Sequence, residues 1–399
     1  MGNVPHLRFP EFTDEWKESV LSDFVERVKR KNKNNLCKLP LTISAQYGLV
    51  DQISFFNKVI ASENMSNYYL LHKGDFAYNK SYSSEYPWGA IKRLDCYEQG
   101  TLSSLYICFK PYSHVSSDFL THYFETSKWH QGISEIAVEG ARNHGLLNVG
   151  IQDFFETRHC LPQSLLEQEK IAKFLNLIEE RIATQNKIIE DLKKLKSAIS
   201  KLLFMRKDLL ETTIRLADIA TLKNGFAFQS SKYNILGKWK IITIANVSGG
   251  RYINEEDCNC IINLPNDIQD HQVLKEGDIL ISLTGNVGRV SLCKSGAYLL
   301  NQRVGLLQIE GNIDKEFVYQ VLSSRRFENS MVACGQGAAQ MNIGKGDVEN
   351  FVLPYSSNAN NIHLVARILH SYDECIMNEL RELTLLTMQK QYFLAQMFI

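Results

Sequence analysis

The chain has 399 residues, 22% of them charged and 44% hydrophobic, and its formal net charge at pH 7 is zero. This length is too great for one hydrophobic core and suits two domains of about 150 residues with additional helices. A zero net charge removes the simplest electrostatic sign of a nucleic-acid-binding protein but permits local basic patches. The sequence has no run of about 18 apolar residues, and its polar start is unlike a signal peptide. We therefore expect a cytoplasmic protein without a membrane partner.

The first part of the chain predicts a domain of mixed α and β structure. Residues 1–20 combine prolines, a tryptophan and scattered charges, which indicates an ordered arm rather than a helix. Residues 39–50 predict a strand and a loop, and residues 68–91 predict two strands around a Gly-Asp turn followed by a polar, aromatic loop. Residues 103–110 have the pattern of a buried strand, and residues 119–133 that of one short amphipathic helix.

A long amphipathic helix is predicted over residues 164–204. Its apolar residues recur every three or four positions, close to the 3.5-residue period of a coiled coil. Ser164 and Glu167 predict a capping box at its start. The same apolar stripe returns 194 residues later without a gap, so we expect two helices of equal length that pack on each other. The packing residues are Ile171, Leu175, Ile178, Ile182, Ile189, Leu192 and Ile199 in the first helix, and Val365, Leu369, Tyr372, Ile376, Leu383, Leu386 and Phe393 in the second.

Other landmarks are duplicated in the same order, while the loops between them differ. The pairs are Leu21-Ser22-Asp23-Phe24 with Leu216-Ala217-Asp218-Ile219, Gly74-Asp75 with Gly277-Asp278, and Asn148-Val149-Gly150 with Asn342-Ile343-Gly344. We predict an α+β fold of two similar globular α/β domains, each followed by a long helix. The predicted bounds are 1–163 and 211–356 for the domains, and 164–210 and 357–399 for the helical segments.

The sequence lacks the motifs that carry common catalytic chemistry. It has no phosphate-binding GxxxxGK[ST] loop, no dinucleotide fingerprint, no HExxH, no GxSxG and no Asn-Pro-Pro-aromatic motif of amino-methyltransferases. The ten histidines and nine cysteines lack metal-ligand spacing. We therefore predict no catalytic residue and no metal site.

The loops of both halves instead carry polar, aromatic and basic side chains. Arginine can pair with guanine, and glutamine or asparagine with adenine, while hydroxyl groups can position phosphates. In the first half the candidate DNA-contacting residues are Lys29, Arg30, Lys31, Gln46, Tyr47, Lys80, Ser81, Tyr82, Ser84, Tyr86, Trp88, Arg142, Asn143, His144 and Asn148. In the second half they are Phe228, Gln229, Ser230, Ser231, Tyr233, Thr284, Asn286, Arg289, Gln302, Arg303, Gln336, Gln340 and Asn342.

Over nearly its whole length the chain resembles the specificity subunits of type I restriction–modification systems. The resemblance rests on the opening PHLRFPEFTDEWKE, the paired Leu-x-Asp and Gly-Asp landmarks, the two Asn-(Val/Ile)-Gly segments with a downstream proline, and the two long helices. It implies two target-recognition domains separated by an antiparallel coiled coil, each domain reading one half of a bipartite, asymmetric site in double-stranded DNA. One departure is the bulky end of the second helix, at Phe393, Met397 and Phe398.

The resemblance also implies the partners and the absence of a cofactor in this chain. Two methyltransferase subunits and two ATP-dependent restriction subunits would supply S-adenosylmethionine, ATP and all catalysis. The helix pair would fix the spacer, with half-sites about 34 Å apart, one duplex turn. Three alternatives remain open: an enzyme whose site is undetected, a coiled-coil scaffold that binds only proteins, and the recognition component of a methyltransferase without restriction activity.

Overall fold

The computed structural model describes residues 3–83, 85–137, 147–335 and 341–399. The chain divides into two compact units, the first formed by Met1–Thr184 with Leu383–Ile399 and the second by Gln185–Glu382. Among the helices of the described ranges, none combines the length and apolar content that crossing a membrane requires.

The first unit is built on a four-stranded antiparallel sheet with the strand order β2-β9-β6-β7. Three two-stranded pairs, β1-β10, β3-β4 and β5-β8, complete its β structure. The elements are β1 (Lys17–Val20), β2 (Val25–Arg27), β3 (Leu41–Ser44), β4 (Gly48–Asp51), α1 (Gln52–Phe56), β5 (Tyr69–His72), β6 (Phe76–Asn79), β7 (Ala90–Arg93), β8 (Gln99–Leu102), β9 (Ile107–Pro111), α2 (Ser117–Tyr123), α3 (His130–Ile136), α4 (Ile151–Phe155), β10 (Arg158–Leu161) and the start of α5 (Leu165–Met205).

The prediction of one helix over residues 119–133 is wrong, because α2 and α3 are separate helices. The Thr126 hydroxyl donates to the carbonyl oxygen of Tyr123 at 2.7 Å and accepts from the Lys128 amide at 3.2 Å. The Trp129 indole donates to the carbonyl oxygen of Phe124 at 3.0 Å. These side-chain bonds stabilise a turn in place of continued helix.

The second unit repeats this plan, with the equivalent strand order β12-β19-β16-β17 in its central antiparallel sheet. A second four-stranded sheet has the order β14-β13-β18-β15, and β11 pairs with β20. The elements are the end of α5, β11 (Thr212–Arg215), β12 (Ala220–Asn224), β13 (Trp239–Ile242), β14 (Asn259–Ile261), β15 (Val273–Leu274), β16 (Ile279–Ser282), β17 (Val290–Leu292), β18 (Tyr298–Leu300), β19 (Val304–Ile309), α6 (Lys315–Leu322), α7 (Arg325–Cys334), α8 (Lys345–Glu349), β20 (Val352–Tyr355) and α9 (Ala359–Gln396).

The landmarks that are paired in the sequence have the same local structure in both units. Leu21–Asp23 and Leu216–Asp218 are both 3-10 turns. The turn glycines Gly74 and Gly277 have φ values of +90° and +80°, which L side chains rarely adopt. The duplication seen in the sequence is therefore a duplication of backbone conformation.

The long helices α5 and α9 pack on each other within each unit, as predicted. In the first unit the Phe174 and Phe393 rings lie 4.8 Å apart, and Lys390 Nζ lies 2.6 Å from Glu179 Oε1. In the second unit Gln185 Nε2 donates to the carbonyl oxygen of Glu379 at 3.1 Å. Residue numbers rise along one helix as they fall along the other, so the pair is antiparallel. Every residue of the two predicted stripes is buried or half-buried.

The helix ends also close the cores of the two globular parts. Met397 and Phe398 are buried in the core of the first unit together with Trp16, Ile171 and Leu175. In the second unit the corresponding core contains Leu203 from α5 and Ile362, Val365 and Leu369 from α9. Each core is thus completed by the start of one long helix and the end of the other.

The start of α5 differs from the predicted capping box in one respect. The Glu167 amide donates to the Ser164 hydroxyl at 3.4 Å, but the Glu167 carboxylate does not return to the helix start. It accepts two hydrogen bonds from Arg8, at 2.7 and 2.8 Å, and one from the Trp16 indole at 3.1 Å. The ordered N-terminal arm is therefore attached to the helix through a buried carboxylate.

The first unit contains a buried histidine whose two ring nitrogens both have hydrogen-bond partners. His159 lies between the Tyr123 hydroxyl, 2.8 Å from Nδ1, and the Thr157 hydroxyl, 2.8 Å from Nε2. Thr157 donates its own proton to the carbonyl oxygen of Phe154, so Nε2 is the protonated nitrogen of a neutral ring. Burial lowers the pKa of His159 to about 4 from its ordinary 6.5.

We expect the stability of the first unit to fall as the pH drops from 6.5 to 4. In that range the unfolded chain binds a proton at His159 that the folded chain does not, which costs up to about 3 kcal/mol. The measurement is urea unfolding at a series of pH values for the native chain and His159→Gln. The variant should show a shallower loss of stability with acid, and parallel pH profiles would contradict the assignment.

Candidate nucleic-acid interface

In the second unit, two predicted loops are joined by hydrogen bonds. The Gly285 amide donates to the carbonyl oxygen of Met341, and the Ile343 amide to that of Leu283, both at 2.9 Å. The Thr284 hydroxyl donates to Asn342 Oδ1 at 3.2 Å. The loop that leaves β16 and the segment that leads into α8 therefore present their polar side chains together.

Two further predicted segments extend the same surface. The Leu283 amide donates to the carbonyl oxygen of Arg303 at 3.0 Å, and the Gln302 amide to that of Phe226 at 2.9 Å. The Phe226 and Phe228 rings lie 4.9 Å apart, and the side chains of Gln302 and Arg303 are exposed. Four loops distant in sequence thus form one continuous surface.

The conformation of the loop between β16 and β17 is stabilised by a serine side chain and by close packing against α7. The Ser282 hydroxyl donates to the carbonyl oxygen of Asn286 at 2.5 Å. Gly288 has a φ of +77°, and a Cβ at this position would lie 2.6 Å from the Cβ of Met331. Arg289, which follows, is half-buried, and its Nε lies 3.9 Å from Glu328. The loop presents Asn286 and Arg289 in a fixed conformation.

The equivalent loop of the first unit, residues 80–89, is also tied to its neighbours. The Leu147 amide donates to the carbonyl oxygen of Lys80 at 2.9 Å, and Lys80 Nζ lies 3.5 Å from that of Val149. The Tyr78 hydroxyl donates to the carbonyl oxygen of Trp88 at 2.9 Å. Ser81, Tyr82 and Asn148 are exposed, while Tyr86 and Trp88 are half-buried.

The basic run of the first unit is partly engaged in internal contacts. Arg30 forms an ion pair with the buried Asp75. Lys31 Nζ donates to the carbonyl oxygen of Asn67 at 2.9 Å and lies 3.7 Å from the centre of the Tyr69 ring. Lys29 is exposed, as are Gln46 and Tyr47 at the turn between β3 and β4. Lys29 is thus the residue of these three that is most accessible to a ligand, and Gln46 and Tyr47 are accessible as well.

The other candidates are exposed or lie outside the described residues. Gln229, Ser230 and Ser231 are exposed beside the half-buried Tyr233. The candidates outside the described residues are Ser84, Arg142, Asn143, His144, Gln336 and Gln340.

A group of potential metal ligands in the described ranges already contains a cation from the chain. His122, Glu125 and Glu179 have their ligand atoms within 4.8 Å of one another. Lys390 Nζ lies 2.8 Å from Glu125 and 2.6 Å from Glu179. Burial raises the pKa of Glu125, but the ammonium group of Lys390 outweighs it and the net shift is downward. This cluster therefore fits a buried ion pair, and we assign no metal to it.

Sequence reasoning missed a pair of exposed aliphatic residues that directly follows one of the candidate segments. Ile235 and Leu236 follow the Gln229–Tyr233 segment and are almost fully exposed. An adjacent Ile-Leu pair is typical of a core, so the sequence offered only the flanking Asn234 and Gly237 as a sign of a turn.

Comparison with known proteins agrees with this architecture. Residues 211–387 match the family described as "Type I restriction modification DNA specificity domain". The specificity subunit of the type I restriction enzyme MjaVIII from Methanocaldococcus jannaschii is 26% identical over 381 residues, covering 87% of this chain and 83% of that protein.

Solved structures show the same fold. The S subunit of a type I restriction-modification system from M. genitalium has a TM-score of 0.56 and 16% identity, and the match covers 99% of both chains. A chain from a study of complex assembly and conformational transition of the type I R-M system has a TM-score of 0.56 and 17% identity, covering 95% of this chain and 96% of that one.

The duplicated fold of this chain is the fold of these type I system subunits. Residues 211–387 carry the type I DNA specificity domain, and the chain is similar over most of its length to a type I specificity subunit, the family that its sequence predicts. Specificity subunits of type I systems are non-catalytic, which bears out the prediction that this chain is not itself an enzyme.

Proposed function

We propose that the two globular parts read the two halves of a bipartite, asymmetric DNA site. The observation that carries this proposal is the repetition of one sheet order with different loops. Lys80 of the first unit, whose Nζ lies 3.5 Å from the carbonyl oxygen of Val149, has Leu283 at the equivalent position of the second unit. A conserved framework with different polar groups is suited to two different half-site sequences.

Within the second half, the four-loop surface supplies the groups needed for base recognition. Arg303 can pair with guanine, and Gln302 or Asn342 with adenine, each good bidentate contact discriminating by about 1–3 kcal/mol. The Thr284 hydroxyl and the backbone amide groups of the loops can position phosphates. In the first half, the exposed candidates include Lys29, Tyr47 and Tyr82.

We further propose that α5 and α9 set the spacer between the half-sites. The two helices are 41 and 38 residues long. At about 1.5 Å per residue a helix of this length extends for roughly 60 Å, more than the spacing of about 34 Å between half-sites one turn apart.

The outer face of α5 is our candidate surface for the partner subunits. Five exposed aliphatic residues recur at intervals of seven or eleven residues, which places them on one side of the helix. They are Leu166, Leu177, Ile188, Leu195 and Leu202. The proposed assembly contains two methyltransferase and two restriction subunits, which hold the cofactors and perform the catalysis; we assign none to this chain. An assembly that methylates without restriction is equally compatible with this surface.

The test is an exchange of residues 211–356 for those of a relative with a different target. Sequencing of methylated adenines in cells that contain the complete system should show one half-site changed and the other retained. A change in both half-sites, or in neither, would contradict the proposal of two independent readers. If the assembled complex left no footprint on DNA, the alternative of a scaffold that binds only proteins would replace it.

A further inference from the structure

The turn between Tyr233 and β13 exposes two aliphatic side chains to an unusual degree. Ile235 is 94% exposed and Leu236 is 86% exposed. No other large hydrophobic residue in the described ranges is exposed to the same extent. An exposed aliphatic residue is common, but two adjacent ones at the tip of a turn form a projecting apolar surface.

The backbone holds this tip outward. The Asn234 amide donates to the carbonyl oxygen of Cys260 at 2.8 Å, which fixes the turn to β14. The Leu236 amide donates to Asn234 Oδ1, and the Gly237 amide to the carbonyl oxygen of Asn234, both at 2.9 Å. The turn therefore has a defined shape before any ligand binds.

Close packing at the base of the turn restricts it further. A Cβ at Gly237 would lie 2.5 Å from the backbone of Ile261, so a larger residue cannot fit there without displacing β14. The close approach of residue 237 to Ile261 thus anchors the base of the turn against β14.

The chemistry of the turn favours one kind of ligand surface. Its amide donors at positions 234, 236 and 237 are used internally, so they are not available to hold a phosphate. Lys232 and Lys238 are exposed on either side of the tip and can attract the DNA backbone. The apolar surfaces of duplex DNA are the faces of its bases and the methyl groups of thymine.

We propose that Ile235 and Leu236 insert into the duplex at the half-site read by the second unit and contact an apolar surface of its bases. This inference rests on the proposed reading of one half-site by each unit. The flanking lysines guide the tip to the duplex, and the fixed turn lets it enter without being reordered on binding.

The test uses the assembled methyltransferase complex with the double variant Ile235→Ser, Leu236→Ser. We expect its affinity for the cognate duplex to fall by about ten- to hundred-fold. On a duplex whose second half-site has been scrambled, the native and variant complexes should bind alike. The matched control is Val352→Ser, which changes an exposed aliphatic residue on β20 and should leave affinity unchanged.

Two modified duplexes distinguish the surfaces that the tip can contact. If it separates stacked bases, 2-aminopurine at the contacted step should fluoresce with the native complex and not with the double variant. If it contacts a thymine methyl group, deoxyuridine at that position should weaken the native complex and not the variant. Either result supports the inference, and the absence of both overturns it.

Other outcomes separate this inference from the proposed function. A double variant that no longer assembles with the methyltransferase subunits would identify the tip as a protein contact and overturn the inference. If the exchange of residues 211–356 changes one half-site while the double variant binds DNA as the native complex does, only the role of the tip fails.

Discussion

Asp373→Ala should lower the free energy of unfolding of the second unit by about 3–5 kcal/mol. Asp373 is buried and accepts hydrogen bonds from Lys196 at 2.6 Å, Arg251 at 3.1 Å and Gln320 at 2.6 Å. Its removal leaves two cationic side chains partly desolvated, with only Glu316 still bound to Arg251. The measurement is urea unfolding of the full chain, monitored by near-ultraviolet circular dichroism.

The internal repeat supplies a matched control for this experiment. Glu179 occupies the position in α5 that Asp373 occupies in α9, and its partner Lys390 corresponds to Lys196. Glu179 is 38% exposed, and Lys390 also contacts Glu125, so Glu179→Ala should cost no more than about 1 kcal/mol. If both variants lost the same free energy of unfolding, burial would not determine how much these ion pairs contribute to stability.

Lengthening both long helices by seven residues should move methylation to sites with a spacer longer by about three base pairs. Seven residues add about 10 Å of helix and preserve the apolar period of 3.5 residues. Duplicating residues 178–184 in α5 and 376–382 in α9 provides matched insertions from the chain's own sequence. Sequencing of methylated adenines should show the original half-sites at the new distance and no methylation at the native spacer.

A seven-residue insertion at Gly311 is the control for chain length alone. Gly311 lies in the turn after β19, has a φ of +70° and has open space around it. We expect this variant to retain the native spacer. Unchanged methylation after the matched helix insertions would show that the helices do not set the distance between half-sites.

The regular spacing of apolar residues explains why much of the fold could be predicted from the sequence. The predicted helix over residues 164–204 is observed as Leu165–Met205, because a stripe sustained over eleven turns leaves little freedom in its bounds. The Gly-Asp turns could also be predicted, because the positive φ values of their first residues favour glycine. The strands at residues 69–79 and 107–111 follow from the same short-range signals.

Features that depend on distant partners were not predicted. The pattern that predicted a capping box at Ser164 did not indicate that Arg8 and Trp16 would bind the Glu167 carboxylate. Arg251 offers no local sign of its burial against Glu316 and Asp373. The loop residues of the candidate surface were predicted from their residue types. The contacts among the segments at residues 226, 284, 303 and 342 could not be predicted, because they depend on how the sheet brings these segments together.

The division of the chain has a consequence for the order of events during synthesis. The second unit is a continuous stretch, Gln185–Glu382, whereas the first requires Leu383–Ile399 in addition to Met1–Thr184. Met397 and Phe398 fill the core around Trp16, so the half that is translated first cannot complete its core until these two residues have been synthesised. The core of the N-terminal half therefore stays incomplete during synthesis of the second unit. Removal of residues 397–399 should lower the stability of the first unit, although most of that unit is distant from them in sequence.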